Sequence, residues 1–245
     1  MTFSAMKNRA RLSLENRWGQ AIGGTALVFA CLCLNAVLCF GVESLAFGHL
    51  YRLVLQLLLL CGSSVFLLVL VQGQEAWRLD VIGRKPFAHR RIRFWLAPKQ
   101  CVKVIALHLL VLIRKIAWTA LLLPGEIMLY VASRQSEIGT VNRVFWFGGA
   151  ISFTVGCVFW FCAVQRYAVC RLLLTVMPSM KIRQAVRESV RLMQGKCWNL
   201  VRYRISFLPW WISCVTIVSA FYVIPFYAQS VTLYRYRLLQ NKSVP

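Results

Sequence analysis

Acid is scarce in this chain. Of 245 residues only seven are Asp or Glu, against 29 Lys and Arg and three His, for a net charge of +22. The histidines, at positions 49, 89 and 108, are far apart in sequence. Paired carboxylates, Ser-His-Asp sets and carboxylate–histidine metal clusters all draw on these residue types. Too few are present to assemble one. A glycine-rich phosphate loop is missing, and so is any Cys-x-x-Cys pair among the ten cysteines. Those cysteines lie mostly in or beside apolar runs, where they read as small packing residues and not as metal ligands or a disulfide framework. The expectation is a non-catalytic protein with no cofactor and no metal.

Apolar residues are what the chain has in excess: 59% of it is hydrophobic, and the mean hydropathy is +0.63. A soluble domain is nearer about 45–50% apolar, so this excess needs a solvent other than water. Segments 18–42, 53–74, 144–165 and 205–234 carry no charge at all. A helix crossing the hydrocarbon layer needs about 20 residues, and only a helix satisfies its own backbone in lipid. The charge excess alone would fit nucleic acid or anionic lipid, but a nucleic-acid-binding protein has no use for four such runs. The first run is also longer than the apolar region of a signal peptide, roughly 7–15 residues, and reads as a retained anchor.

The bases cluster. Residues 1–17 hold four, 75–103 hold eight, 166–204 hold nine, and the tail holds Arg235, Arg237 and Lys242, whereas loops 43–52 and 134–143 hold one and two. Short loops rich in Lys and Arg stay cytoplasmic. That rule places the N-terminus inside, 43–52 outside, 75–103 inside, 134–143 outside and 166–204 inside. The third span, read as 104–124, buries Arg114 and Lys115 and brings Glu126 out on the far side. The cations are expected to snorkel toward the inner surface; otherwise they face a polar cavity, and Arg114, Lys115 and Glu126 form an intramembrane polar site. The last run has 30 residues, with Pro209 and Pro225 inside it. A cytoplasmic tail requires it to turn back as two short helices, for six spans; as one long span it leaves five and puts the tail outside.

In "MPSMKIRQAVRESVRLMQG", Ile182, Val186, Val190 and Met193 recur every three or four positions, with Arg183, Arg187 and Arg191 opposite. This predicts an amphipathic helix over about 180–195, N-capped by Ser179 and ended by Gly195, lying in the cytoplasmic interface. The loop "GRKPFAHRRIRFWLAPKQ" sets Arg90, Arg91 and Arg93 among aromatics. In a tether between two spans, lipid headgroups are the nearest polyanion. Arg90, Arg91, Arg93, Arg183, Arg187 and Arg191 are therefore the expected headgroup contacts, with no nucleic-acid partner.

Several of these segments also resemble a known family. In "AVRESVRLMQGKCWNLVRYRISFLPWW" and "VIPFYAQSVTLYRYRL", the residues Ala185, Ser189, Leu192, Met193, Gly195, Trp198, Ser206, Phe207, Trp210, Pro225 and Tyr234 fall in order. This pattern is similar to the C-terminal signature of an uncharacterised bacterial membrane-protein family, domain of unknown function 975. "RLSLENRWGQAI", "GRKPF" and "LLLPGEI" resemble its upstream motifs, with Glu126 standing where the family has an apolar residue. The resemblance implies a polytopic fold and carries over no catalytic residue.

The expected molecule is thus an all-α integral membrane protein, a single membrane domain over 1–245. Its bundle has six transmembrane helices, or five, at about 20–42, 53–73, 104–124, 144–165 and 205–234, plus a cytoplasmic interfacial amphipathic helix. It is expected to be multi-pass in the cell membrane, with both termini cytoplasmic. Its expected partner is a bilayer with anionic headgroups on the cytoplasmic face. The roles that fit are a membrane-complex subunit, a scaffold or a lipid-interacting factor, with a transporter or channel for an anionic solute or lipid as the alternative.

Overall fold

In the computed structural model, which describes residues 2–43, 48–84, 94–134 and 140–241, all regular structure is helical. Helix α1 (Phe3–Leu14) begins where the Thr2 hydroxyl accepts the Ala5 N–H at 3.4 Å, satisfying one open donor of the first turn. Asn16, at φ 63°, makes the turn into α2 (Trp18–Glu43); asparagine tolerates this left-handed backbone better than most residues. Helix α3 (His49–Ile82) returns antiparallel beside α2. The Gln56 amide donates to Glu43 near one end of the pair, and the Gln74 amide donates to the Gly24 carbonyl toward the other.

Helix α4 (Pro98–Thr119) starts on a proline, where a missing N–H is harmless. The chain then breaks at 120–122 and resumes as α5 (Leu123–Arg134), bent by 51° from α4. The single helix expected over 104–124 is therefore two helices. Pro124 has no N–H for a carbonyl one turn back, and its ring crowds that carbonyl. Helix α5 packs closely on α6 (Thr140–Gln165). A Cβ on Gly125 would lie 2.5 Å from the Phe153 backbone nitrogen, and one on Gly156 would lie 2.7 Å from the Leu121 carbonyl oxygen. Glycine at these crossings lets two backbones meet, as small residues do where helices pack in lipid.

After a turn come α7 (Cys170–Val176), α8 (Ile182–Met193), α9 (Cys197–Ile205), α10 (Leu208–Ile212), a short 3-10 turn (Ser213–Val215) and α11 (Ile217–Gln240). Helix α8 is the amphipathic segment, and Gly195 follows it at φ 71°, as a terminating glycine should. Its start differs from expectation. Lys181 occupies the cap position, because Met177–Met180 close a turn of their own beyond Pro178. The apolar face of α8 packs on protein: Ala185, Val186, Leu192 and Met193 are buried with Leu172, Leu173 and Leu174 of α7. Ser189 donates to the Arg166 carbonyl at 2.8 Å. Arg183, Arg187 and Arg191 face outward.

The 205–234 run does turn back, at Thr216. Tyr203 stacks on Tyr234 at 5.1 Å, Phe207 meets Phe226 edge-on at 5.7 Å, and Trp211 meets Tyr227 at 5.3 Å. These pairs zip α9–α10 against α11. Helices α2 and α3 and the stretch 142–176 are long and apolar enough to cross a membrane, making three, or four if the bent α4–α5 pair counts as one. The arms of the C-terminal hairpin are not among them.

Burial is uneven in a way that water would not permit. One end of the molecule has an ordinary core, built from α1, the last turns of α3, α7, α8, α9 and α11. The long helices leaving it hold their apolar side chains outward, with Phe40 75% exposed and Phe147 70%. Contiguous apolar surface on that scale belongs in lipid. The basic clusters, distant in sequence, meet at the packed end. Arg9, Arg84 and Arg237 share one cleft of about 450 Å³. Lys7 donates to the Ser206 carbonyl at 2.6 Å, and Lys103 donates to that of Pro178.

Candidate functional site

The packed end is unusual in how much charge it buries. In "VQGQEAWR", at the C-terminal end of an apolar run, Gln72 and Glu75 are separated by one turn of α3, so both face inward. Glu75 is 1% exposed. Its carboxylate takes Arg235 of α11 at 3.1 Å and Arg78 at 3.3 Å, and it accepts the Thr232 hydroxyl at 3.4 Å. Around this group Gln229 donates to the Ser13 hydroxyl at 3.2 Å, and Gln72 donates to the Thr175 hydroxyl at 2.7 Å. The polar residues thus tie α1, α3, α7 and α11 together.

Beside this network lies a chamber of about 320 Å³ between α4, α6, α7, α9 and α11. Leu107, Val111, Val164 and Ala168 form its apolar wall, and His108, Lys115, Gln165, Tyr167, Arg171, Arg204 and Arg235 form its polar one. Among the described residues, Lys115, Arg171 and Arg204 have no carboxylate within ion-pair distance. Four cations thus line the chamber, and one of them, Arg235, shares Glu75 with Arg78. The Nε–H groups of Arg204 and Arg235 are both buried without an acceptor.

Burial pulls Arg235 down to about 10, with Glu75 drawing it back up and Arg171 and Arg204 pushing it lower. Burial also lowers Arg204, opposed by Tyr227 and reinforced by Arg171. At about 10, Arg235 stays protonated at neutral pH. Gathering like charges away from water costs several kcal/mol per uncompensated ion, so the chamber is electrostatically incomplete as it stands. What it can do chemically is hold an anion. His108 Nδ1 is 2.8 Å from the Val104 carbonyl, and among the described residues no group of three His, Cys, Asp or Glu could hold a metal ion.

Of the residues expected to form an intramembrane site, Lys115 lines this chamber and is half-buried, whereas Arg114 is exposed on the outer face of α4. Glu126 is exposed on α5, beyond the bend. The structure therefore separates the three. Arg183, Arg187 and Arg191 are exposed on α8, with Arg191 3.6 Å from Glu188. Arg90, Arg91 and Arg93 lie outside the described residues. Sequence reasoning passed over Glu75, Arg171, Arg204 and Arg235. The available signals were the acid placed one turn after Gln72 and the alternate arginines of "YRYRL", neither of which names its partner.

The residues that carried the family resemblance do packing work. Ala185, Ser189 and Met193 seat α8, Phe207 and Tyr234 join the C-terminal hairpin, and Gly125 seats α5 on α6. No curated protein and no solved structure matches the chain. The family model described as "Protein of unknown function (DUF975)" matches residues 1–243. With nearly its whole length matched, and with apolar helices able to cross a membrane, this chain belongs to the DUF975 family.

Proposed function

We propose that this chain is a non-catalytic multi-pass protein of the cell membrane that engages anionic lipid headgroups at its basic end, as a subunit or scaffold of a membrane complex. One observation carries the reading: basic clusters far apart in sequence converge beneath helices whose apolar side chains point outward. Each cation near an anionic leaflet contributes roughly 1 kcal/mol. The positive-inside rule then sets this end, with both termini, in the cytosol. The six-span count has each arm of the C-terminal hairpin cross or enter the bilayer. Arg183, Arg187 and Arg191 on α8 contact the headgroups in this reading.

The test compares wild type with the triple variant Arg183→Gln/Arg187→Gln/Arg191→Gln in mixed-lipid nanodiscs, measuring enrichment of anionic over zwitterionic lipid around the protein. Enrichment should fall in the variant; an unchanged ratio rejects the reading. Reporter fusions at residue 48, at residue 138 and at the C-terminus check orientation, and an inward-facing fusion at 138 overturns it. The bend between α4 and α5 beside Lys115 supports a second reading, an anion transporter. Anion flux into liposomes at the same background level for wild type and for Arg114→Ala/Lys115→Ala would end that one.

A further inference from the structure

We propose that the chamber between α4, α6, α7, α9 and α11 is a binding site for a phosphate-type oxyanion, held by the guanidinium groups of Arg171, Arg204 and Arg235 with the Lys115 ammonium beside them. Four cations reach one cavity of about 320 Å³ from four different helices, so the tertiary fold, and not a local charge run, assembles it. Arg235 is only 7% exposed, yet its Nε–H has no acceptor, and the Nε–H of Arg204 is left the same way. Buried donors without partners are rare in folded proteins. Two of them on the wall of one cavity mark where an acceptor belongs.

Among the described residues no group supplies that acceptor. Glu75 is already engaged by Arg235, Arg78 and Thr232, and among the described residues Arg171 and Arg204 make no ion pair of their own. The surplus favours a ligand bearing more than one negative charge, and a phosphate monoester carries about −1.5 to −2 at neutral pH. Guanidinium forks match its oxygens in pairs, which a compact halide cannot reproduce. The volume is at the small end of ligand pockets, which run from about 300 to 1,000 Å³. It suits a phosphate headgroup or free phosphate. The lipid source rests on the membrane reading above; the anion chemistry does not.

The full chain in non-ionic detergent is dialysed against radiolabelled inorganic phosphate, in chloride buffer, with and without phosphatidic acid or phosphatidylcholine in the micelles. Saturable phosphate binding displaced by phosphatidic acid but not by phosphatidylcholine gives the site and a lipid source. Saturable phosphate binding that neither lipid displaces gives the site and a free-anion source. Saturable retention of phosphatidic acid alone supports the site where Arg171→Gln or Arg204→Gln removes it and overturns the site where they do not. Arg171→Gln and Arg204→Gln remove groups with no carboxylate partner, and each should weaken binding roughly tenfold or more. Arg134→Gln, exposed at the end of α5 and away from the chamber, should leave it unchanged.

No saturable binding of either probe to wild type overturns the proposal without reference to any variant, as does wild-type affinity in folded Arg171→Gln and Arg204→Gln. If the chamber fails while the α8 triple variant still loses anionic-lipid enrichment, this inference falls alone. If enrichment is unchanged but the chamber binds phosphate, the headgroup reading falls alone.

Discussion

Replacing Glu75 by glutamine removes one negative charge and almost nothing else. Volume is kept, and so is a carbonyl oxygen that can accept one of the two guanidinium groups. What is lost is the counter-charge beneath Arg235 at 3.1 Å and Arg78 at 3.3 Å, with side chains 8% and 14% exposed. Taking one partner from a buried ion pair costs about 3–5 kcal/mol, because the other charge stays behind uncompensated. The retained acceptor and the slight access of Arg78 to solvent favour the lower end, about 3 kcal/mol. In a chain of this size each kcal/mol moves Tm by about 2–4 °C. Glu75→Gln should therefore melt roughly 6–12 °C below wild type in circular-dichroism scans of the detergent-solubilised protein. The cycle is completed with Arg235→Gln and the double variant, whose loss should fall short of the sum by about 1 kcal/mol or more. A Glu75→Gln protein melting within about 2 °C of wild type, or a strictly additive double variant, would refute the idea that this carboxylate neutralises the buried arginines.

Other expectations are smaller in scale. Gly125→Ala would place a Cβ 2.5 Å from the Phe153 backbone nitrogen. It should destabilise by about 1–3 kcal/mol as α5 and α6 separate, whereas Gly19→Ala, with nothing within 4 Å, should sit within about 0.5 kcal/mol of wild type; equal melting temperatures would contradict the close crossing. Gly195→Ala forces alanine into φ 71° and should cost about 1 kcal/mol by the same scan. Burial pushes the Tyr203 phenol up to about 12 from an ordinary 10.0, so the folded state favours its neutral form. That contribution is whole below pH 10 and is lost as pH rises toward 12. Tyr203→Phe should flatten the alkaline fall in Tm over that window, and parallel profiles for the two proteins would count against it.

The sequence showed the membrane character clearly, because an uncharged run of 22 residues or more has one physical explanation, and 18–42, 53–74 and 144–165 each lie within helices able to span. The amphipathic pattern of 182–193 was equally legible, since a period of 3.6 needs no tertiary information. What covers an apolar face is a tertiary fact. The pattern of α8 looks the same whether lipid or the leucines of α7 receive it. The 51° bend between α4 and α5 was not legible, because hydropathy runs on through 120–122 and the angle depends on how α5 packs against α6. The site was the least legible part. Lys115 drew attention by interrupting an apolar run, but Arg171, Arg204 and Arg235 sit in segments already rich in base. The hairpin that returns α11 past α9 brings Arg204 and Arg235 together, and α7 sets Arg171 with them beside Lys115.

The helix that seals α1 is made long after it. Ala10 and Leu14 share a core with Val231, Leu233 and Leu238 of α11, and about 200 residues of synthesis separate the two. At 5–20 residues per second the ribosome takes roughly 10–40 s to cover that distance. Throughout that interval the N-terminal segment waits beside the membrane with its inner face unmet, and the first transmembrane pair must hold in the bilayer without it. Premature termination anywhere before α11 therefore yields a chain that inserts yet never closes. Such a chain displays an open apolar groove to the quality-control proteases of the cell.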